Sequence, residues 1–532
     1  MVSASESSPA APALSRSEFP VVGIGASAGG LKAFQELLSH LPPSPGLAFV
    51  LVPHLDPKQE SLLHEILRRS IALPVKEAED GTRIELDHIY VVKPNTSLTL
   101  TDGHLKTDAL TRGPLGANNC IDVFLTSLAQ RCGEKAIGII LSGSATDGAA
   151  GIRAIKSEGG ITFAQDDSAE FKSMPQAACQ TGSVDYVMPP AEIARELARI
   201  ARHPFILSPE QLPDAAAELQ ADEQSFREIL GLLEAKTGVP FLSYKSSTLE
   251  RRILRRMALR QVESLADYQR YLTENPQEIR LLHDEVLVNF TTFFRDPETF
   301  DALKAVVYPE LVASRSPRSP LRLWVPGCST GEEAYSLAIS LIEFLDEQGS
   351  NLPVQLFASD VSEPSINRAR TGYYPKTIVA DVSADRLRRF FSPADAGGYQ
   401  ISKRIRDLVL FARQDMTQDP PFSRLDILSC RNVLIYLGTA LHKRVLPLFH
   451  YALRPEGFLL LGPSETADRF PSLFHPIDTK HRIYRKVAGS RVAPELPLER
   501  YRAVVEDSGL TNAQRPAPLF DPARAVDRAL LA

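Results

Sequence analysis

The chain of 532 residues contains no long apolar run: LAFVLV and similar stretches are strand-sized, well short of the roughly 18 residues that a membrane helix needs. It is therefore not expected to span a membrane. Cysteine is sparse. Five residues (Cys120, Cys132, Cys179, Cys328 and Cys430), odd in number and without a CxxC pair, speak against a disulfide framework and against a zinc site, so no metal is expected. There is no excess of positive charge either: 59 Lys and Arg stand against 65 Asp and Glu, for a net charge of -6. A nucleic-acid partner is accordingly not expected. The opening stretch MVSASESSPAAPALSRSEF lacks the basic and apolar regions of a signal peptide, which makes a cytoplasmic location the expectation. What the chain does have is a hydrophobic fraction of 44%, enough for packed cores, and a length that calls for more than one of them.

Short apolar runs alternate with helical periodicity twice along the chain. The first alternation (PVVGIG, LAFVLVP, HIYVV, AIGIILSGS, ITFAQD) predicts an α/β domain over 19–202, after a disordered lead at 1–18. A proline-bearing stretch at 203–222 reads as a linker, and helical periodicity over 223–314 predicts a small all-helical subdomain. The second alternation (LRLWVPG, VQLFASD, LVLFARQD, LDILSC, GFLLLG) predicts another α/β domain over 315–486, and 487–532 reads as a poorly ordered tail. The expected fold class is thus α/β: two doubly wound domains with a helical subdomain between them.

In the first α/β domain, Gly25, Ser27 and Gly29 form G-x-S-x-G between a predicted strand and a predicted helix. Such a turn lifts a serine hydroxyl above the sheet and turns following N–H groups toward an oxyanion. Gly23, Gly25 and Ala28 also fit the dinucleotide-binding turn, but that site wants an acidic residue at the end of the next strand, and LAFVLVPHLDP ends in Pro53 and His54. The strand AIGIILSGS places Asp147 near a third carboxyl end. Taken singly, a serine, a histidine and an aspartate are as readily a cap, a surface side chain and a turn residue; on three strand ends they favour catalysis. GASAGG, PHLDP and LSGSATDGAAG resemble the motifs of CheB-type chemotaxis receptor methylesterases over about Phe19 to Arg202, with Ser144 where methionine is frequent. The resemblance implies that Ser27 is the nucleophile, His54 its general base and Asp147 the group that orients the imidazole.

In the second α/β domain, LRLWVPGCSTGEEAYSLAI reads as strand, small-residue loop and helix, with Glu333 placed to receive an ammonium group. The next strand ends in Asp360, the acidic position that a ribose diol requires. Carboxylates facing the loop suit a cationic nucleoside without phosphates, S-adenosylmethionine. The strand LDILSC delivers Arg431, Asn432 and Tyr436 to the edge of the site. NFTTFFRD, GCSTGEEAYS, ASD and CRNVLIY resemble the motifs of CheR-type protein-glutamate methyltransferases over about Glu223 to Lys486. The resemblance implies donor contacts from Asn289, Thr291, Arg295, Glu333, Asp360, Asp415, Met416, Arg431 and Asn432, with Tyr436 near the acceptor. FARQDM departs from a more usual asparagine and leucine pair at Asp415 and Met416.

The expected function is therefore bifunctional: methylation of glutamates on a methyl-accepting chemoreceptor or related sensor, and hydrolysis of the resulting esters, with deamidation as a further activity of the esterase. The alternatives are a signalling scaffold with degenerate sites and a methyltransferase for a non-receptor acceptor. A last feature is TLERRILRRMALRQ, whose Arg251, Arg252, Arg255, Arg256 and Arg260 gather along one helical side. A solvated face is the default reading of that stripe, and steering of an acidic receptor is its functional one.

Overall fold

The computed structural model describes residues 19–54, 63–109, 119–206, 223–287, 291–315, 319–394 and 397–489. The lead at 1–18, most of the linker, all but three residues of the tail, and Asn289 lie outside the described residues. By its contacts the chain divides into two units, Met1–Phe226 with Arg251–Glu274, and Arg227–Glu250 with Asn275–Ala532. Among the described residues, no helix is long and apolar enough to cross a membrane.

The first unit is built on a seven-stranded sheet ordered Tyr186–Met188, Ile161–Gln165, Ala136–Ile140, Val21–Ala26, Ala48–Pro53, Ile89–Val91, Val75–Glu77. Every pairing in it is parallel. Its central strands are buried at every residue, which is why they read as unbroken apolar runs rather than as alternating ones. The chain starts in the middle, builds toward one edge and then returns to build toward the other. The crevice of such a sheet lies at the carboxyl ends beside that reversal. Register does the rest: Ala26 pairs with Pro53 and Gly25 with Ile140, so the residues that follow these strands emerge side by side.

Arg251–Glu274, which the helical periodicity placed in the all-helical subdomain, packs with this first unit. The arginine stripe is accordingly neither a uniformly wet surface nor an open docking face. Arg255 is fully buried and Arg256 is 8% exposed. Arg255 pairs with the Asp185 carboxylate and donates to the Gly159 and Gly160 carbonyls at 3.1 and 2.8 Å, while Arg252 donates to the Ser157 carbonyl at 3.1 Å. These carbonyls lie at and just beyond the end of the helix Ala149–Ser157. Helix ends leave carbonyls in need of donors and carry partial negative charge, and guanidinium forks answer both needs. Lys156 joins the same Asp185 at 2.5 Å.

The second unit is also α/β. Its sheet runs Val409–Arg413, Val354–Asp360, Leu321–Pro326, Leu425–Cys430, Leu453–Leu461, Ile483–Lys486, Phe474–Asp478. The first five strands pair in parallel and the last two add antiparallel. The helix Glu332–Glu347 is buried continuously from Glu332 to Leu345, so it lacks the polar face of a surface helix and sits inside the core. The single tryptophan, Trp324, is fully buried and donates to the Ser359 hydroxyl at 2.9 Å, tying two neighbouring strands together just below their carboxyl ends.

Candidate active sites

In the first unit the turn after Val21–Ala26 is set by Gly29, whose φ of 75° is left-handed and whose missing Cβ would stand 2.6 Å from the Ser142 Oγ. A larger residue is excluded twice over, by backbone and by space. Ser27 N–H donates to the Ser142 carbonyl and Gly30 N–H to the Ser27 carbonyl, both at 2.9 Å. Those two donors stabilise the turn itself, leaving the N–H groups of Ala28 and Gly29 as its candidates for an oxyanion. His54 N–H donates to the Ala26 carbonyl at 2.9 Å, which fixes the histidine beside the residue that follows Ala26.

His54 and Asp147 meet at 2.7 Å, Nε2 to Oδ2, leaving the second ring nitrogen to act as base. Asp147 is 5% exposed. Its carboxylate also accepts from Ile121 N–H at 3.0 Å and Asp122 N–H at 2.9 Å, at the start of the helix Cys120–Cys132. A helix N-terminus favours negative charge, and these bonds hold the buried carboxylate in one place. Asp122 is a neighbour that motif reading missed. Burial, and then the Asp147 charge, push its carboxyl up from 3.8 to about 7, while it accepts from Gly151 N–H at 2.7 Å. His54, Cys120 and Asp147 bring donor atoms within 4.8 Å of one another. Burial pushes the Cys120 thiol up to about 12, away from the thiolate that a metal would bind.

In the second unit a cleft of about 980 Å³, open to solvent, lies at the carboxyl ends of the central strands. Thr291, Arg295, Glu333, Asp360, Asp415, Met416, Arg431, Asn432 and Tyr436 all line it, which brings together every described residue expected at this site. The turn Gly327–Gly331 precedes the helix Glu332–Glu347, and Gly331 at φ 95° has no room for a Cβ, which would stand 2.9 Å from that of Ala369. Asp360 accepts from Ser329 N–H at 2.8 Å and Ser362 N–H at 2.9 Å. Burial raises its carboxyl and these N–H groups pull it back, with burial the larger effect.

Glu333 is already engaged, accepting from Arg431 at 2.9 Å and from the Ser429 hydroxyl at 3.0 Å. Arg431 also reaches Asp296 at 2.7 Å and the Arg295 carbonyl at 2.8 Å, which locks the NFTTFFRD segment to the CRNVLIY segment. Asp415 accepts from Thr417 N–H and hydroxyl at 2.8 and 2.6 Å and from Gln418 at 2.8 Å. Sequence reading missed Tyr244 and Gln414, both in the cleft wall. Tyr244 arrives there through its bridge to Leu437, and burial raises its hydroxyl well above the ordinary value.

Ser329 Oγ, Gln414 Oε1 and Arg431 Nε are buried without a hydrogen-bond partner among the described residues, and all three residues line this one cleft. Orphaned polar atoms are costly unless something satisfies them. Two of the orphans can donate and two can accept, amid three carboxylates, a lining suited to a cationic nucleoside with an amino-acid tail. S-adenosylmethionine fits it. Asp360 would hold the ribose and Arg431 the carboxylate of the tail; when bound, the sulfonium supplies an activated methyl group.

Comparison with known proteins bears on both units. Residues 22–197 match the CheB methylesterase family, 224–287 the all-alpha domain of the CheR methyltransferase, and 289–483 its SAM binding domain. A Pseudomonas putida protein described as putative methyltransferase Cher3 is 35% identical over 273 residues, 49% of this chain and 96% of that one. A Rhodobacter capsulatus protein, described as an uncharacterized 104.1 kDa protein in the hypE 3' region, is 35% identical over 464 residues, 82% of this chain. The chain spans about half of that relative, 48% of its length. Among solved structures, the catalytic domain of the Thermotoga maritima CheB methylesterase is 27% identical, covering 34% of this chain and 98% of that one at a TM-score of 0.32. The chain belongs to the chemotaxis methylation families, joining a CheB methylesterase domain to a CheR methyltransferase whose methyl donor is S-adenosylmethionine.

Proposed function

We propose that the protein adds and removes methyl groups on glutamate side chains of a methyl-accepting chemoreceptor or related sensor, acting in the cytoplasm. The carrying observation is that one chain holds, at the strand ends of two sheets, a His54–Asp147 pair bonded at 2.7 Å next to the turn of Ser27, and a cleft with three polar atoms that lack a partner among the described residues. In the esterase, Ser27 attacks the ester carbonyl and His54 takes its proton, then returns it to the leaving methanol. Asp147 holds the imidazole in one tautomer and offsets its transient charge. Attack on a glutamine amide by the same serine would expel ammonia instead, and in both cases water, activated by His54, then cleaves the acyl-serine to free the glutamate.

In the transferase a glutamate carboxylate is already a nucleophile, so the cleft has little proton chemistry to perform. Asn289, Thr291, Arg295, Glu333, Asp360, Asp415, Met416, Arg431 and Asn432 hold the donor, and Tyr436 stands at the acceptor side. Orientation of this kind can be worth about 7–11 kcal/mol. The test is to incubate the protein with radiolabelled S-adenosylmethionine and membranes carrying candidate receptors. Base-labile label should enter the receptor and leave it as methanol when the donor is removed. Label that appears only on soluble proteins or small molecules would overturn the receptor reading.

A further inference from the structure

The segment that follows the strand Leu425–Cys430 has to do two things at once. Arg431, Asn432, Val433 and Tyr436 line the donor cleft, yet Asn432 sits in the left-handed region at φ 59°. A left-handed residue persists only where its surroundings over-determine it. Among its surroundings is one side chain that also holds the residues around it. Glu465, beyond the end of the strand Leu453–Leu461, is 4% exposed. Its Oε2 accepts from the N–H groups of Asn432 at 2.9 Å and Gly462 at 2.6 Å, and its Oε1 from those of Val433 at 2.8 Å and Ile435 at 3.3 Å.

We infer that Glu465 is a positioning residue of the methyl-transfer site: its buried carboxylate pins the backbone of the 431–436 segment and so sets where Arg431, Asn432 and Tyr436 meet donor and acceptor. Four N–H groups converge on one carboxylate, and three of them belong to the segment that lines the cleft. Charge-assisted bonds of this type are short and about twice as strong as neutral ones. Glu465 itself does not line the cleft, so it acts through the segment and not on the ligand. An amide cannot replace it, because Gln keeps one acceptor oxygen and turns an NH2 group toward two N–H donors.

The experiment is Glu465→Gln in the full chain, at a temperature where circular dichroism shows it folded, with three readouts: calorimetric affinity for S-adenosylhomocysteine, methyl transfer to receptor membranes and the melting temperature. The expected result is an affinity loss on the order of tenfold and a turnover loss on the order of a hundredfold, the scale that small misplacements of reacting groups produce. Ester hydrolysis by the same molecules should be unchanged. A lower melting temperature with wild-type affinity and turnover would overturn the inference and leave Glu465 a stabilising side chain only. The turnover arm rests on the receptor as acceptor, whereas the affinity arm does not, so a wrong acceptor shows as wild-type protein that binds the nucleoside without methylating receptor. Should Glu465→Gln fail to fold, Gly462→Ala strikes the same contact from the other side, since its Cβ would come within 2.8 Å of both the Asn432 nitrogen and Glu465 Oε2. The same losses are expected of it, and wild-type values would again overturn the inference.

Discussion

The two sheets end in sites of opposite construction. At the candidate esterase site Asp147 is satisfied within the chain, accepting from two helix N–H groups and the His54 ring. At the transferase site the wall is incomplete, because Ser329, Gln414 and Arg431 each present a buried polar atom without a partner among the described residues. The first site holds its histidine and aspartate already bonded to one another. The second leaves polar groups for a ligand to complete, which in the proposed function is the methyl donor. One chemistry needs protons moved; the other needs only two reactants held in line.

The sharpest way to separate the two is Ser27→Ala. Ester hydrolysis should fall on the order of a million-fold, as for other triad serines, while methyl transfer and S-adenosylmethionine affinity stay as they are. Methanol release from methylated receptor by purified variant at the wild-type rate would remove Ser27 from the mechanism.

The next largest effect concerns what holds the first unit together. Arg255→Ala takes a guanidinium partner from the Asp185 carboxylate, 3% exposed, to which Lys156 and Thr162 also donate. Removing one partner of a buried pair costs about 3–5 kcal/mol. Urea unfolding followed through esterase activity should therefore move to markedly lower denaturant, and an unchanged midpoint would show that the arginine is dispensable.

Much of the architecture was legible because buried parallel strands announce themselves as apolar runs and because both sites sit at strand ends. GASAGG, PHLDP and ATDG pointed to strand ends where His54 and Asp147 are found bonded, and four motifs named residues that line one cleft. Arg255 could not. Helical spacing shows which arginines share a side, but the carboxylate and carbonyls that cover them come from Ser157–Asp185, about a hundred residues earlier in the chain at most contacts. Glu465 was invisible for a related reason, since its partners are backbone N–H groups and backbone leaves no trace in composition. Asp122 looked like an ordinary first-turn helix residue, and only the fold sets it against Asp147.

A smaller effect tests the binding site. Asp360→Ala removes a charged acceptor facing the cleft, and hydrogen bonds to charged groups are worth about 1.5–3 kcal/mol. Calorimetry should show S-adenosylhomocysteine binding roughly ten- to a hundredfold weaker. An unchanged affinity in folded protein would put the ribose elsewhere.

The smallest effect is one of pH. The folded state raises the Asp122 carboxyl from 3.8 to about 7, through burial and then the charge on Asp147. Between those values the folded chain keeps a proton that the unfolded chain has released, so this residue's contribution to stability falls as pH rises through that window and levels off above it. Asp122→Asn cannot lose the proton. Melting temperatures measured from pH 4 to pH 8 should decline less steeply for Asp122→Asn than for wild type, and parallel curves would show that Asp122 titrates normally.

The packing of Arg251–Glu274 with the first unit bears on how such a gene can be taken apart. Order along the chain suggests two cassettes, separable at the proline-bearing stretch before Glu223. Expression of the esterase cassette cut there would deliver a protein whose Ser157 and Gly160 carbonyls and Asp185 have lost the guanidinium groups that satisfy them. The transferase cassette would carry those arginines away on a helix without the surface that buries them. A cut at that joint is expected to destabilise both products.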